Sequence, residues 1–400
     1  MRESHHHGRI SKMSISTTTH TPDTKRLKRQ IVGFALSQGF SVALWRLPNQ
    51  QKINLLIATD KKVLYEITME ELKPGFVMAP FSPTGSKYFL EAEHLFEFTT
   101  DIAELTHRQF AEQAEKSNFK GLPKFHIAKS NTQQATPESF LELVKLSINA
   151  IESGAFEKVV PSTQRKIEVP ADFDLLDAFD LLSQRYPAAM VSLVSDSTLG
   201  TWMGASPELL VSTDKHNIFR TVALAGTQPY KEGVPMRSVS WTQKEIEEQA
   251  LVERYIISCF KKIRVREYDE HGPKTVQAGN LIHLRSDFEV NMKEVNLPQM
   301  GSVMLKLLHP TSAVCGMPMD ASYKFLEANE GYDREFYSGY LGPINIDNES
   351  HLFVNLRCLK WCGDSIYQFA GAGVTIDSVP DQELKEVEIK FETIRRAIGI

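Results

Sequence analysis

Apolar positions recur along this chain at two spacings, and the switches between them predict the order of its elements. Residues 24–40 place Leu27, Ile31, Phe34 and Ala35 three and four apart, the period of an amphipathic helix. Runs rich in β-branched and aromatic residues follow at 41–46, 53–58, 63–67, 76–80 and 87–99, and predict strands because turn residues bound each one. Residues 101–117 return to the helical period, and the polar stretch 120–134, broken by Gly121-Leu-Pro123, reads as a surface loop or an internal boundary. Thr136-Pro137 then opens a helix whose apolar face is Phe140, Leu143, Val144 and Ile148, with proline in the first turn, where its missing N–H costs nothing.

The second part repeats this pattern in kind. A strand at 158–160 leads to a helix at 175–186 and to strands at 190–195, 209–212 and 218–225. A long charged helix is expected at 243–262, a strand at 281–290, and helices at 299–308 and 321–330. Strands at 353–359 and 365–370 deliver the chain to a last helix opened by Pro380. Strands in runs with intervening helices, without strict β–α alternation, predict an α+β fold.

Composition narrows the class. Four hundred residues with 42% hydrophobic content can bury a large core, as one large domain or two. A net charge of −5 gives no electrostatic footprint for nucleic acid or an anionic membrane. No apolar run reaches the length of a membrane span. The four cysteines, Cys259, Cys315, Cys358 and Cys362, form no C-x-x-C pair, which points away from a disulfide scaffold or zinc site and towards a reducing cytoplasm. Residues 1–23 are polar and rich in Ser and Thr, are expected to be disordered, and begin with a His-containing leader that looks partly added; they stay outside the fold reasoning.

Several stretches could carry chemistry. Near the C-terminus an apolar strand runs into Gly371 and Gly373, whose missing Cβ atoms let a ligand approach the backbone. Glu383, Glu386 and Lys390 then fall on one helix face, which suits a hard cation and an anionic small molecule, or is an ordinary exposed ion pair. Lys158 enters an apolar strand and either snorkels to solvent or lies in a cavity, where burial disfavours its charge and makes it usable as a base. Glu208 follows the turn-like Gly204-Ala-Ser-Pro207 at the mouth of a strand, as a general acid or a solvated strand end. The strand 223–227 ends at Gly226 and Thr227 and would expose backbone N–H and a hydroxyl; Glu248 is a metal ligand or one more solvated charge on the long helix. The loop His309–Ala313 is small and apolar, and Arg357 points inward, where a guanidinium needs a carboxylate from the protein or a ligand.

In this order the blocks resemble the chorismate-binding enzymes over roughly residues 136–400, and within that family they look most like isochorismate synthase. The matching blocks are Lys158-Val-Val160, Gly204–Leu210, Leu224–Thr227, Lys244–Val252, Leu308–Pro318, Tyr332-Asp-Arg334 with Tyr337 and Gly339, Arg357-Cys358, and Phe369–Gly373 with the terminal Glu383, Glu386 and Lys390. The resemblance implies two large antiparallel sheets packed face to face with helices outside, as in anthranilate synthase component I, formed by one catalytic domain over 24–400. It implies Mg²⁺ held by Glu248 and Glu386 with Glu383 close by, Lys158 as the base that activates water for attack at C2, and Glu208 as the acid that protonates the departing C4 hydroxyl. Gly226, Thr227, Ala313, Tyr337, Arg357, Gly371 and Lys390 would bind chorismate, the small-molecule partner. The product, isochorismate, would feed menaquinone or a siderophore.

Two departures stand out: Pro161 follows Val159-Val160, putting the strand's pairing in question, and Gln249 follows Glu248 where the family has histidine, which could change the metal's surroundings. Ala225 stands where aminodeoxychorismate synthases place a lysine, and the Gly-Ala-Pro-Lys block of the anthranilate synthases is missing, so water is the expected nucleophile and no amidotransferase subunit is expected. Salicylate synthase, which shares the catalytic residues, and a non-catalytic chorismate-binding subunit are the alternatives.

Overall fold

The computed structural model describes residues 24–99, 103–105, 107–117, 119–128, 135–230, 233–278 and 281–400; the expectation for residues 1–23, and parts of those for 101–117 and 120–134, lie outside them. Two nine-stranded sheets, antiparallel at every pairing, form the frame. The first runs in the order Ala103–Leu105, His94–Phe98, Ile53–Ala58, Ser41–Arg46, Met190–Asp196, Gly200–Ser206, Cys358–Trp361, Ser365–Gly371, Ser162–Glu168. The second runs Asp269–Ala278, Leu281–Asn291, Ile218–Pro229, Leu209–Thr213, Ser350–Val354, Tyr340–Ile344, Gly75–Ala79, Lys87–Glu91, Lys62–Leu64. Lys158–Val159 and Gly316–Met317 form a separate two-stranded pair.

Alternation along the strands sorts side chains into three cores. In Ser41–Arg46, Ala43 and Trp45 face the second sheet and pack with its Phe76 and Met78, while Val42 and Leu44 face helices. The core between the sheets therefore draws on both, and this is the expected face-to-face arrangement. Outside the first sheet lie the helices Thr24–Ser37, Arg108–Lys116 and Leu175–Arg185; outside the second lie Pro137–Glu152, Gln243–Lys262, Met300–Leu308 and Met319–Asn329. The C-terminal helix Pro380–Ala397 contributes Val387 and Phe391 to one outer core and Ile394 and Ala397 to the other. Pro137–Glu152 starts as expected: Thr136 Oγ1 accepts from the Ser139 amide and Ser139 Oγ returns to the Thr136 amide, a capping box.

Where expectation and structure part, tertiary pairing is the reason. The strand expected at 87–99 is two: Lys87–Glu91 belongs to the second sheet and His94–Phe98 to the first, with the chain crossing between them at Ala92-Glu93. The strand expected at 353–359 splits the same way into Ser350–Val354 and Cys358–Trp361, which leaves Arg357 in the crossing and not in a strand. The helix expected at 101–117 begins only at Arg108, because Ala103 and Leu105 pair with Phe98 and Phe96 at the sheet edge. Gly204-Ala-Ser206 is strand, not turn; Gly204 is needed because a Cβ there would lie 2.9 Å from Cys358 Cβ on the neighbouring strand. The strand expected at 63–67 shortens to Lys62–Leu64.

Candidate functional site

A chain that leaves one sheet for another exposes backbone and side chains that neither sheet can pair. Two such crossings lie side by side here: Pro207-Glu208, from the first sheet to the second, and Asn355–Arg357, from the second back to the first. They are tied to each other. The Val354 amide donates to the Glu208 carbonyl at 3.0 Å, Ser206 Oγ donates to the Val354 carbonyl at 2.5 Å, and the Ala205 amide donates to the Arg357 carbonyl at 3.1 Å. The pocket beside them has a cavity volume of about 90 Å³ and is partly open to solvent, smaller than the roughly 300–1,000 Å³ usual for small-molecule sites. Of the residues singled out from the sequence, Glu208, Gly226, Thr227, Glu248, Ala313, Tyr337, Arg357, Gly371, Glu386 and Lys390 line it, while Lys158 and Glu383 do not.

Lys158 lies just behind the wall. It is fully buried, and its Nζ donates to Glu248 Oε1 at 2.9 Å. Pro161 leaves its strand undisturbed, because pairing has ended by then: Lys158 faces Met317, Val159 bridges Val374, and the Pro161 carbonyl accepts from the Ala372 amide. Gly373 lines the pocket and also makes room for this pair, since a Cβ there would come 2.4 Å from Glu248 Oε1 and 3.2 Å from Lys158 Cε. Gly371 lines the pocket as well, and its carbonyl accepts from Lys390 Nζ at 2.6 Å.

The carboxyls are held in different states. Burial pushes Glu208 up to about 7, against the opposing hydrogen bond from Thr311 Oγ1 at 3.2 Å and the Lys158 charge. Burial would also raise Glu248, but the Lys158 charge and hydrogen bond, with the charges of Lys244 and Lys390, prevail and hold it below the usual carboxylate range. Glu386 accepts from Lys390 at 2.6 Å, the expected i,i+4 pair. Glu383 does not join them: it is 1% exposed, bonded to Lys244, and burial raises its pKa.

Arg357 lines the pocket with a backbone φ of 49°, and its guanidinium forms no hydrogen bond or ion pair with the protein among the described residues. A partly buried guanidinium that lines a pocket without a carboxylate partner suits an anionic ligand. Tyr337 stacks on Phe369, ring centroids 5.3 Å apart, and Phe369 stacks in turn on Trp202, so an aromatic wall backs the cavity.

His283 is the pocket residue that sequence reasoning missed. Gly226 and Thr227 form a bulge opposite it, because Ala225 pairs with Leu284 and Gln228 with Ile282, and Gly226 takes a φ of +61°. The bulge turns the Gly226 carbonyl onto His283 Nδ1 at 3.0 Å, so that nitrogen carries the proton and Nε2 is an acceptor with no protein partner. Burial keeps this ring neutral, its pKa lowered to about 3. The signal available beforehand was a histidine in the strand facing the Gly226-Thr227 irregularity. Gln249 also differs from expectation: its amide accepts from the Ala225 N–H at 3.0 Å and donates to Glu253 Oε1 at 3.0 Å, so it anchors the helix to the pocket strand and leaves Glu248 alone.

For a hard cation, the pocket offers Glu248 and Glu386, and Glu383 Oε2 nearby on the helix is buried without a partner. Among the described residues no three carboxylate, imidazole or thiol groups converge into a ready-made metal site. Two carboxylates completed by water and substrate oxygens match the preference of Mg²⁺, so the residues fit it. No helix among the described residues is long and apolar enough to cross a membrane.

Comparison with known proteins adds three findings. Residues 78–399 match the family described as chorismate binding enzyme. The isochorismate synthase DhbC of Bacillus subtilis is 29% identical over 278 residues, 66% of this chain and 68% of that protein, and the vibriobactin-specific isochorismate synthase of Vibrio cholerae is 30% identical over 204 residues, 50% of this chain and 51% of that protein. Among solved structures, MenF, the menaquinone-specific isochorismate synthase of Escherichia coli, superposes with a TM-score of 0.72 at 20% identity, covering 92% of this chain and 91% of its own, which speaks for the fold.

Proposed function

The chain belongs to the chorismate-binding enzymes, and on that premise we propose that it is an isochorismate synthase, converting chorismate to isochorismate by exchange of a hydroxyl between ring positions. The observation that carries this is a fully buried lysine and a carboxyl poised near neutrality at one pocket, with the unpaired Arg357 to receive a substrate carboxylate. Lys158, as the neutral amine, takes a proton from water as its oxygen bonds to C2. The C1=C2 electrons move to C1–C6 and those of C5=C6 to C4–C5, and the C4–O bond breaks. Glu208 gives its proton to the departing hydroxyl, which leaves as water, since hydroxide itself is a poor leaving group.

Glu248 and Glu386 would hold Mg²⁺, with Glu383 adjusting behind them. Bound there, the ion would neutralise the ring carboxylate and take up the Glu248 charge that now pairs with Lys158. Arg357 and Lys390 would grip the substrate's carboxylates, and Tyr337, Ala313, Gly226 and Thr227 would flank the ring. Strands from the first hundred residues are interleaved in both sheets, which supports reading 24–400 as one catalytic unit. Ala225 and Ala313 leave no side chain to add to C2, which supports water as the nucleophile without an amidotransferase partner.

The test is to incubate purified protein with chorismate and Mg²⁺ and separate the products by chromatography, with and without ammonium salts and with excess chelator. Isochorismate should dominate and should vanish with the chelator. A dominant salicylate or aminated product would place the chain elsewhere in the family, and full turnover in chelator would remove the metal from the reaction.

Gly373→Ala should lower turnover at least about tenfold, since misplacing a catalytic group by even ~1 Å can cost on the order of 10²-fold. The added methyl has to displace either Glu248 or Lys158. Steady-state rates equal to those of the unsubstituted enzyme would show that this pair tolerates displacement.

A further inference from the structure

Arg334 lies outside the pocket lining and touches neither the base, the acid nor the carboxylates assigned above to the metal, though its guanidinium sits 5.8 Å from the centre of the Tyr337 ring; yet it holds two of the pocket's walls. It is 3% exposed, its Nη2 donates to the Val160 carbonyl at 2.6 Å, and its Nη1 donates to the Val314 carbonyl at 2.9 Å. Val160 follows Lys158 by two residues, Val314 follows Ala313, and both line the pocket. The same guanidinium meets both oxygens of Glu330, at 2.7 Å from Nε and 2.6 Å from Nη2, and lies 4.2 Å over the Phe81 ring. Glu330 in turn accepts from the amide and hydroxyl of Ser162, each at 2.7 Å, where the first-sheet strand begins.

We propose that Arg334 is a positioning residue that fixes the spacing between the segment carrying Lys158 and the loop carrying Ala313. Among the described residues, the other backbone ties between these segments are a ladder of two residues per strand and the flanking bonds from the Glu157 amide to the Met317 carbonyl and from the Val160 amide to the Cys315 carbonyl. So short a ladder does not hold a spacing by itself. A planar fork can grip a carboxylate with one edge and reach two diverging carbonyls with the rest, which an ammonium on a flexible stem cannot do. The Glu330 pair then serves to keep the fork's charge compensated, and the carbonyl grip sets the distance between base and ring. This rests on the reading of the pocket as the site of chorismate isomerisation.

Arg334→Lys and Glu330→Gln separate the two roles. Arg334→Lys keeps a cation for Glu330 and loses the double carbonyl grip, so kcat should fall on the order of 10²-fold with KM changed less than about threefold. Amide hydrogen exchange should accelerate in peptides covering 157–160 and 314–317 and stay unchanged in the remote strand Ser41–Arg46. Glu330→Gln keeps the grip, so it should melt lower while its kcat per folded molecule stays within about threefold and those two peptides stay protected. The proposal is overturned if Arg334→Lys keeps its kcat, if its exchange rises equally in Ser41–Arg46, or if Glu330→Gln loses kcat as fully. If Arg334→Lys does not fold, protection of 157–160 and 314–317 in Glu330→Gln decides: retained, it supports the grip; lost, it overturns it. Exchange needs no substrate, so a wild-type protein that fails to convert chorismate would sink the functional reading alone and leave this test standing.

Discussion

Replacing Lys158 by alanine is expected to lower chorismate turnover on the order of 10²–10⁴-fold, the usual worth of a general base. The expectation comes from geometry: Lys158 is fully buried, paired with Met317 while its neighbour Val159 bridges Val374, and aimed at Glu248 on the pocket wall. The same change has a structural cost that has to be separated from it. Removing one partner of a buried ion pair typically costs about 3–5 kcal/mol, because the other charge is left stranded. Here Lys244 and Lys390 still act on Glu248, so the loss should fall below that range. Lys158→Gln makes the separation, since its amide can still donate to Glu248 but cannot take a proton from water. Both variants should therefore be equally inactive, while glutamine melts above alanine. A loss below about tenfold in the glutamine variant, with the fold intact by thermal melting, would remove Lys158 from the role of base.

The two kinds of information in the sequence were not equally readable. Ser41–Arg46, Ile53–Ala58 and Gln243–Lys262 stand where the apolar pattern puts them, since the two strands are short apolar runs bounded by turn residues and the helix is long and capped. Gly200–Ser206, Asp269–Ala278 and Tyr340–Ile344 were not legible, because their Gly, Pro, Ser and charged residues have little strand propensity and only neighbouring strands hold them extended. Nor does any local signal tell that 87–99 and 353–359 change sheets midway, although the second crossing places Arg357 at the pocket. For the site, the ordered blocks pointed to Lys158, Glu208, Glu248 and Glu386, and the structure gathers them around one cavity. What spacing could not give was partnership. Glu383 and Glu386 are three apart on one helix, yet one turns to Lys244 and the other to Lys390. Nothing around His283 in sequence marks the bulge that faces it.

Glu208→Gln is expected to lower turnover by a similar factor, on the order of 10²–10⁴-fold, and also to change how the protein responds to pH. As the proton donor, Glu208 is useful only while protonated. With its carboxyl pushed up to about 7 by burial, kcat/KM should fall as pH rises through about 7, and this limb should be missing from the residual activity of Glu208→Gln. Thr311→Val should move the limb upward, because the Thr311 hydroxyl donates to Glu208 Oε1 and favours the charged form. Stability supplies a second readout that needs no substrate. The folded protein binds this proton more tightly than the unfolded chain, whose carboxyl has the ordinary value of 4.5. That stabilisation is fully present below about pH 4.5 and is lost as pH rises through about 7. Glutamine has no proton to lose. The melting temperature of Glu208→Gln relative to the unsubstituted protein should therefore climb between pH 5 and pH 8 and then level off, by an amount on the order of a few kcal/mol in stability. A difference that stays flat across that window, or an activity limb that survives in Glu208→Gln, would mean that this carboxyl is already ionised in the pocket and that some other group protonates the departing hydroxyl.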